Sequence, residues 1–107
     1  MIITVYRGRT AYLTILPKVK STGQPYILQT GDKIRFGVRP EFGGEYAIIK
    51  TLTSANEVNN VYPLTLTVND TNISPRRYLY DVSIEFADGT KQDIQPTDYF
   101  IIRDSIT

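Results

Sequence analysis

The sequence has 107 residues, of which 12 are basic and 11 acidic, for a formal net charge of +1. That is the length of one domain, and such a chain buries roughly 65% of the surface its unfolded form exposes, enough for one core without covalent staples. The balanced charge excludes a bulk electrostatic pull toward nucleic acid or an anionic membrane.

Cysteine and histidine are both absent. No thiolate nucleophile or disulfide framework is available, and the side chain best suited to proton transfer near neutral pH is missing. A cysteine-free chain fits a reducing cytosol or a virion, and equally a secreted protein with a good core. No apolar run approaches the ~20 residues needed to span a bilayer, and MIITVYRGRT lacks the basic and apolar regions of a secretory leader.

In chain order, turn residues recur every eight to twelve positions, at Gly8, Gly23 to Pro25, Gly31-Asp32, Pro40 to Gly44, Asn56 to Asn60, Asn69 to Pro75, Asp88-Gly89 and Pro96. The stretches between them have a period of two. Ile2–Tyr6 and Ala11–Leu16 open the chain as apolar strands. In 33–39, Ile34, Phe36 and Val38 point one way and Lys33, Arg35 and Arg39 the other. Tyr46–Leu52 alternates loosely and reads as a more deeply covered strand. Leu64, Leu66 and Val68 alternate with Thr65, Thr67 and Asn69; Tyr80, Val82, Ile84 and Phe86 alternate with Asp81, Ser83 and Glu85. This is the pattern of half-buried antiparallel strands. No segment carries the i, i+3, i+4, i+7 spacing of a long amphipathic helix. Seven strands are predicted, at about 2–6, 10–16, 32–39, 45–53, 63–69, 78–87 and 90–103. The last is predicted to break at Pro96, which cannot donate to a ladder.

Asp88-Gly89 predicts a two-residue type I′ hairpin joining the last two strands, because both central residues of that turn need positive φ. A terminal hairpin beside the third of seven strands is the immunoglobulin arrangement, so the fold class predicted is an all-β, immunoglobulin-like antiparallel sandwich forming a single domain. Tyr78, at the start of the sixth strand, is either a tyrosine corner tied back to the preceding loop or a plain strand aromatic. If the third and sixth strands are neighbours, Lys33, Arg35 and Arg39 face Asp81, Ser83 and Glu85, each opposite-charge pair contributing roughly 0.2–1 kcal/mol. That explains the basic stripe without a nucleic-acid face. Gly37 inside a strand marks a bulge or a neighbouring ring packed over the backbone.

Chemistry is sparse. Asp88, Asp93, Asp98 and Asp104 are not placed around a cleft by the pattern, and turn aspartates usually serve the turn. NDTN (69–72) and DGTKQD (88–93) offer oxygen ligands but do not match the EF-hand loop. FGGE (42–45) lacks the spacing of a phosphate loop and reads as a turn. Phe42 at its tip either anchors a partner or folds over the sheet edge. Residues 69–71 and 72–74 match N-x-[ST], which has no meaning without a leader. Arg76-Arg77 beside Tyr78 reads as a solvated strand start. No catalytic, cofactor or metal residues are assigned.

The order of ITVYRGRTAYLTI (3–15), LQTGDKIRFGVRP (28–40), LTVNDT (66–71), RYLYDVSIEFADGT (77–90) and DYFIIRDSIT (98–107) resembles small immunoglobulin-like domains of tailed-phage and prophage structural proteins. The nearest in kind are the N-terminal domains of baseplate upper proteins and related tail or fibre modules. The shared pieces are the glycine-threonine kink at Gly8 to Thr10, the Gly31-Asp32 start of an I-x-F-x-V strand, the Y-x-Y-D-[IV] strand at Tyr78 to Val82, the Asp-Gly hairpin, and the closing Phe100 to Thr107. Larger relatives continue into receptor-binding or coiled modules, and this sequence closes at Thr107.

The resemblance implies a non-enzymatic assembly module without cofactor, located in a virion assembled in the bacterial cytoplasm. Its partners would be other virion subunits or further copies of itself, with no nucleic acid and no membrane. Ile2–Tyr6 and Tyr46–Leu52 are the expected edges, the latter guarded only by Lys50. The expected contact residues are Phe42, Tyr46, Ile48, Lys50, Tyr12 and Tyr99. The alternative is a carbohydrate-binding module stacking sugars on Tyr12, Tyr26, Tyr99 or Phe42. A flat row of exposed rings on one face would favour it.

Overall fold

Alternation puts every second apolar side chain on one side of its strand, so two such sheets bury their apolar sides only by facing each other. The computed structural model, which describes residues 2–18, 22–41 and 44–104, has that arrangement. Its strands are β1 (Ile3–Tyr6), β2 (Ala11–Ile15), β3 (Lys33–Arg39), β4 (Ile48–Thr53), β5 (Tyr62–Leu66), β6 (Arg77–Glu85) and β7 (Lys91–Arg103). Five form one sheet in the order β1-β7-β6-β3-β4, and β2 and β5 form a second. All pairs are antiparallel except β1 with β7. The protein is an all-β immunoglobulin-like sandwich with the terminal β6–β7 hairpin beside β3.

Ile34, Phe36 and Val38 of β3 are buried with Tyr80, Val82 and Ile84 of β6, and Phe86 packs against them half-buried. Tyr62, Leu64 and Leu66 of β5 close the core from the other sheet. At the centre the rings of Phe36, Tyr80 and Phe100 meet with centroids 5.8 to 6.4 Å apart, a spacing at which tilted and edge-on rings attract. Lys33 stands opposite Glu85 and Arg35 opposite Ser83, and the Arg39 guanidinium reaches the Asp81 carboxylate at 3.8 Å. The basic stripe is thus answered across the β3–β6 ladder.

The Tyr78 hydroxyl donates to the Ser74 carbonyl at 2.7 Å, four residues upstream, which makes Tyr78 a tyrosine corner. The Tyr62 hydroxyl accepts the Leu28 N–H at 2.7 Å and fastens the long β2–β3 connection over the core. Asp32, at the end of that connection, accepts the Tyr26 hydroxyl (2.6 Å) and the N–H groups of Gln29 (2.9 Å) and Ala87 (3.0 Å). One carboxylate thereby joins the connection to the β6–β7 hairpin.

Several sequence expectations are corrected. Asp88-Gly89 is not a type I′ turn. Only Gly89 has positive φ, at 92°, the Gly89 N–H donates to the Phe86 carbonyl and the Phe86 N–H to the Thr90 carbonyl. This is the three-residue loop with a left-handed glycine. The Asp88 carboxylate prefers to accept the Thr90 N–H and hydroxyl. The turn with both central φ positive is Asn59-Asn60, at 48° and 70°, between Val58 and Val61.

The strand predicted over 63–69 ends at Leu66, and Val68–Thr71 forms a single helical turn, α1. Thr67 caps it: its hydroxyl accepts the Asp70 N–H while the Asp70 carboxylate accepts the Thr67 N–H, a capping box that overrides the alternation. Val68 is consequently exposed. β4 begins at Ile48 rather than 45, leaving Tyr46 outside the ladder. β7 is not broken at Pro96. It continues through register shifts opposite Tyr80 to Ser83, which place bulges where the proline withholds its donor.

Candidate docking surface

The outward face of the five-stranded sheet is set by register. Residues directly opposite in neighbouring strands share a face, so Gly37 lies beside Ile49 and Asp81, Arg39 beside Leu79, Leu79 beside Tyr99, and Arg77 beside Ile101. β3 supplies a glycine where a side chain would stand. The Tyr46 ring fills that space, and a Cβ on Gly37 would overlap it. Of the two readings of Gly37, the packed ring is the observed one. The Arg39 guanidinium lies 5.4 Å from the centroid of Tyr46, and that of Arg77 lies 4.5 Å from the centroid of Tyr99, both within cation–π range.

The structure brings Tyr46 and Tyr99 onto this one face, each 39% exposed, and adds Ile49, Leu79, Arg39 and Arg77, which sequence reasoning did not name as contact residues. The β3–β6–β7 register, read with the Asp-Gly hairpin, was the signal that could have placed Leu79 and Arg77 there. Tyr12 is 80% exposed but belongs to β2 in the other sheet. Phe42 lies outside the described residues. Ile48 is buried on the inner face, because its register sets it opposite the inward Val38. It is a core residue and presents nothing to a partner.

Lys50 also points inward, opposite Phe36. Its ammonium meets the Asp70 carboxylate at 2.7 Å, so it ties β4 to α1 instead of standing out from the edge. Burial alone would push the Asp70 carboxyl up, but the Lys50 ammonium and the Thr67 N–H and hydroxyl outweigh it and hold it below the usual carboxylate range. β1 and β4 are edges, as expected. Tyr26 is half-buried and donates to Asp32, so its ring is committed to the fold.

Among the described residues no group of three or more Asp, Glu, His or Cys could hold a metal ion, and no helix is long and apolar enough to cross a membrane.

No family model and no curated protein matches the sequence. Murine CRIg is similar in structure. It shares 10% identity, with 98% of this chain and 92% of that chain covered, at a TM-score of 0.43.

Proposed function

We propose that the protein is a non-enzymatic assembly module of a phage or prophage virion, in the tail, baseplate or fibre, and that it docks neighbouring subunits with the outward face of its five-stranded sheet. The observation that carries the docking part is the pair of tyrosine–arginine stacks, Tyr46 under Arg39 and Tyr99 under Arg77, beside exposed Ile49 on one sheet face. Tyrosine and arginine are the residues enriched at interface hot spots, where a rigid ring and a planar cation give large contact area at small entropic cost. Sugar stacking needs a bare ring face. Here a guanidinium covers the ring of each pair; of the other exposed rings, Tyr12 stands on the opposite sheet and Tyr6 at the end of edge strand β1. The virion part rests on the resemblance of the five sequence segments.

Mass spectrometry of particles purified from the source of this sequence tests the reading. The expected result is this chain in fixed ratio to tail proteins, and its loss from the particles when Arg77 and Tyr99 are both changed to alanine. Absence of the chain from particles overturns the virion role. Glycan binding that disappears in the Tyr99→Ala variant overturns docking in favour of sugar recognition.

A further inference from the structure

Among the described residues β2 has a single partner, β5, so its other side is a free edge with backbone donors and acceptors to satisfy. Along that edge runs a cavity of about 570 Å³. It is lined by Tyr12, Leu13, Thr14, Ile15 and Leu16, five consecutive residues. Successive strand residues point to opposite faces, so a hollow touched by all five follows the strand's edge and does not lie under one face. Its floor is the core itself, Phe36, Tyr80 and Val82, and its far wall is Ile3 of β1 and Ile94 of β7. β1 covers only Phe100 to Arg103 of β7, which leaves the flank beside Ile94 without a strand.

The other three edges carry devices that discourage pairing. β5 contains Pro63, β4 contains the inward Lys50, and β1 is four residues long. β2, with the sequence AYLTI, has no charge, proline or glycine. We infer that β2 accepts an extended segment of a neighbouring polypeptide, added as an antiparallel strand, with alternate apolar side chains in the cavity and an acidic residue at its N-terminal end.

Each part of that description follows from the site. A cavity along a strand edge fits a chain that bonds to the strand and drops every second side chain inward. A second copy's β2 would leave the hollow unfilled, because the inward side chains of β2 already serve their own core. Among the described residues the one charged side chain lining the cavity is Lys18, just past the C-terminal end of β2, where the N-terminus of an antiparallel partner arrives. This surface is on the sheet opposite the tyrosine–arginine face and stands or falls independently of it.

The probe is an acetylated, amidated peptide, Glu-Val-Thr-Val-Thr-Val-Thr-Val-Ser, titrated into the isotope-labelled full chain and followed by amide NMR. The expected result is saturable shifts and slowed exchange confined to residues 11–18, with a Kd of about 1 mM or tighter. Ile94→Trp, which fills the cavity, should weaken binding about tenfold, a side-chain volume effect of the size seen when packed sites are overfilled. Lys18→Glu, an exposed change that leaves the core intact, should weaken the same peptide, and a peptide beginning with Lys should recover the loss. Shifts centred on β1 or β4, or no shifts in saturating peptide, overturn the inference. So does a dimer of the free protein held through residues 11–15, which would give the edge to a second copy.

Discussion

The two flanks of the sandwich are finished differently. On the β4–β5 side the chain crosses between the sheets through a single 3₁₀ turn, Ser54–Asn56, and the Asn59-Asn60 turn, and Lys50 of β4 is clamped to Asp70 of α1. On the β1–β2 side the connection is tied to Thr71 of α1 through Gly8 and Arg9, but along β2 itself a cavity opens between a free strand edge and the core. Both flanks face the same Phe36, Tyr80 and Phe100 cluster. The lesson is that a core can be dense at its centre and still be open along one side, when one sheet has five strands and the other two. The closed side holds the protein together, and the open side is available for a partner.

The largest expected effect tests that difference directly. Phe100 is fully buried and away from the cavity, so Phe100→Ala should cost about 3–5 kcal/mol. Ile94 is half-buried at the cavity wall, and Ile94→Ala should cost about 1 kcal/mol. Denaturant unfolding measures both, and equal losses would mean that the flank is not open.

Next comes Asp32. Burial would push its carboxyl up, but the Tyr26 hydroxyl and the Gln29 and Ala87 N–H groups outweigh it and hold it below the usual range. Burial, with the hydrogen bond to Asp32, pushes Tyr26 up to about 12. A carboxyl lowered in the folded state contributes stability above its unfolded pKa, lost as pH falls through the folded value. A phenol raised in the folded state contributes stability below its unfolded pKa of about 10, lost as pH rises toward about 12. Asp32→Ala should therefore cost about 2–3 kcal/mol at neutral pH and flatten both the acid and the alkaline limbs of the stability profile. An unchanged profile would show that the network contributes nothing.

Gly37→Ala should cost about 1–3 kcal/mol by driving the added methyl into the Tyr46 ring, and the cost should shrink in a Tyr46→Ala background. A double-mutant cycle reads this coupling, and strict additivity would mean that the ring does not lie on Gly37 in solution. Smallest is Lys50→Met. A partly exposed pair is worth about 0–1 kcal/mol, so global stability should barely move. Amide exchange should nonetheless quicken in β4, sharpening the contrast between the stitched flank and the open one.

Much of the architecture was legible before any coordinates. The two-residue rhythm of Ile34, Phe36 and Val38 and of Tyr80, Val82 and Ile84 named the inner faces, and Tyr78 after a polar loop named the corner. Where the rhythm misled, a short-range bond had intervened. Val68 continues the alternation of Leu64 and Leu66, yet Thr67 and Asp70 satisfy each other's backbone and turn the chain into α1. Asp88-Gly89 satisfies the composition of a type I′ turn, but Asp88 gains two hydrogen bonds from Thr90 in the longer loop. The candidate surface was less legible. Tyr46, Ile48 and Lys50 were named as members of an expected edge strand, and edge status does not say which face a side chain takes; their register against Val38 and Phe36 turns Ile48 and Lys50 inward. The arginines over the rings were not foreseen, since stacking depends on which strands lie side by side.

The sequence by itself determined roughly where the seven strands run, which side of β3 and β6 is apolar, and that the last two strands form a hairpin, because those properties depend on neighbours one to four positions away. Only the tertiary structure decided which edges are free. Edge status depends on partners 50 or more residues distant, such as Ile3 against Phe100 and Ala11 against Leu66. No local pattern encodes that β2 is left with one partner while the core beside it is left with an opening.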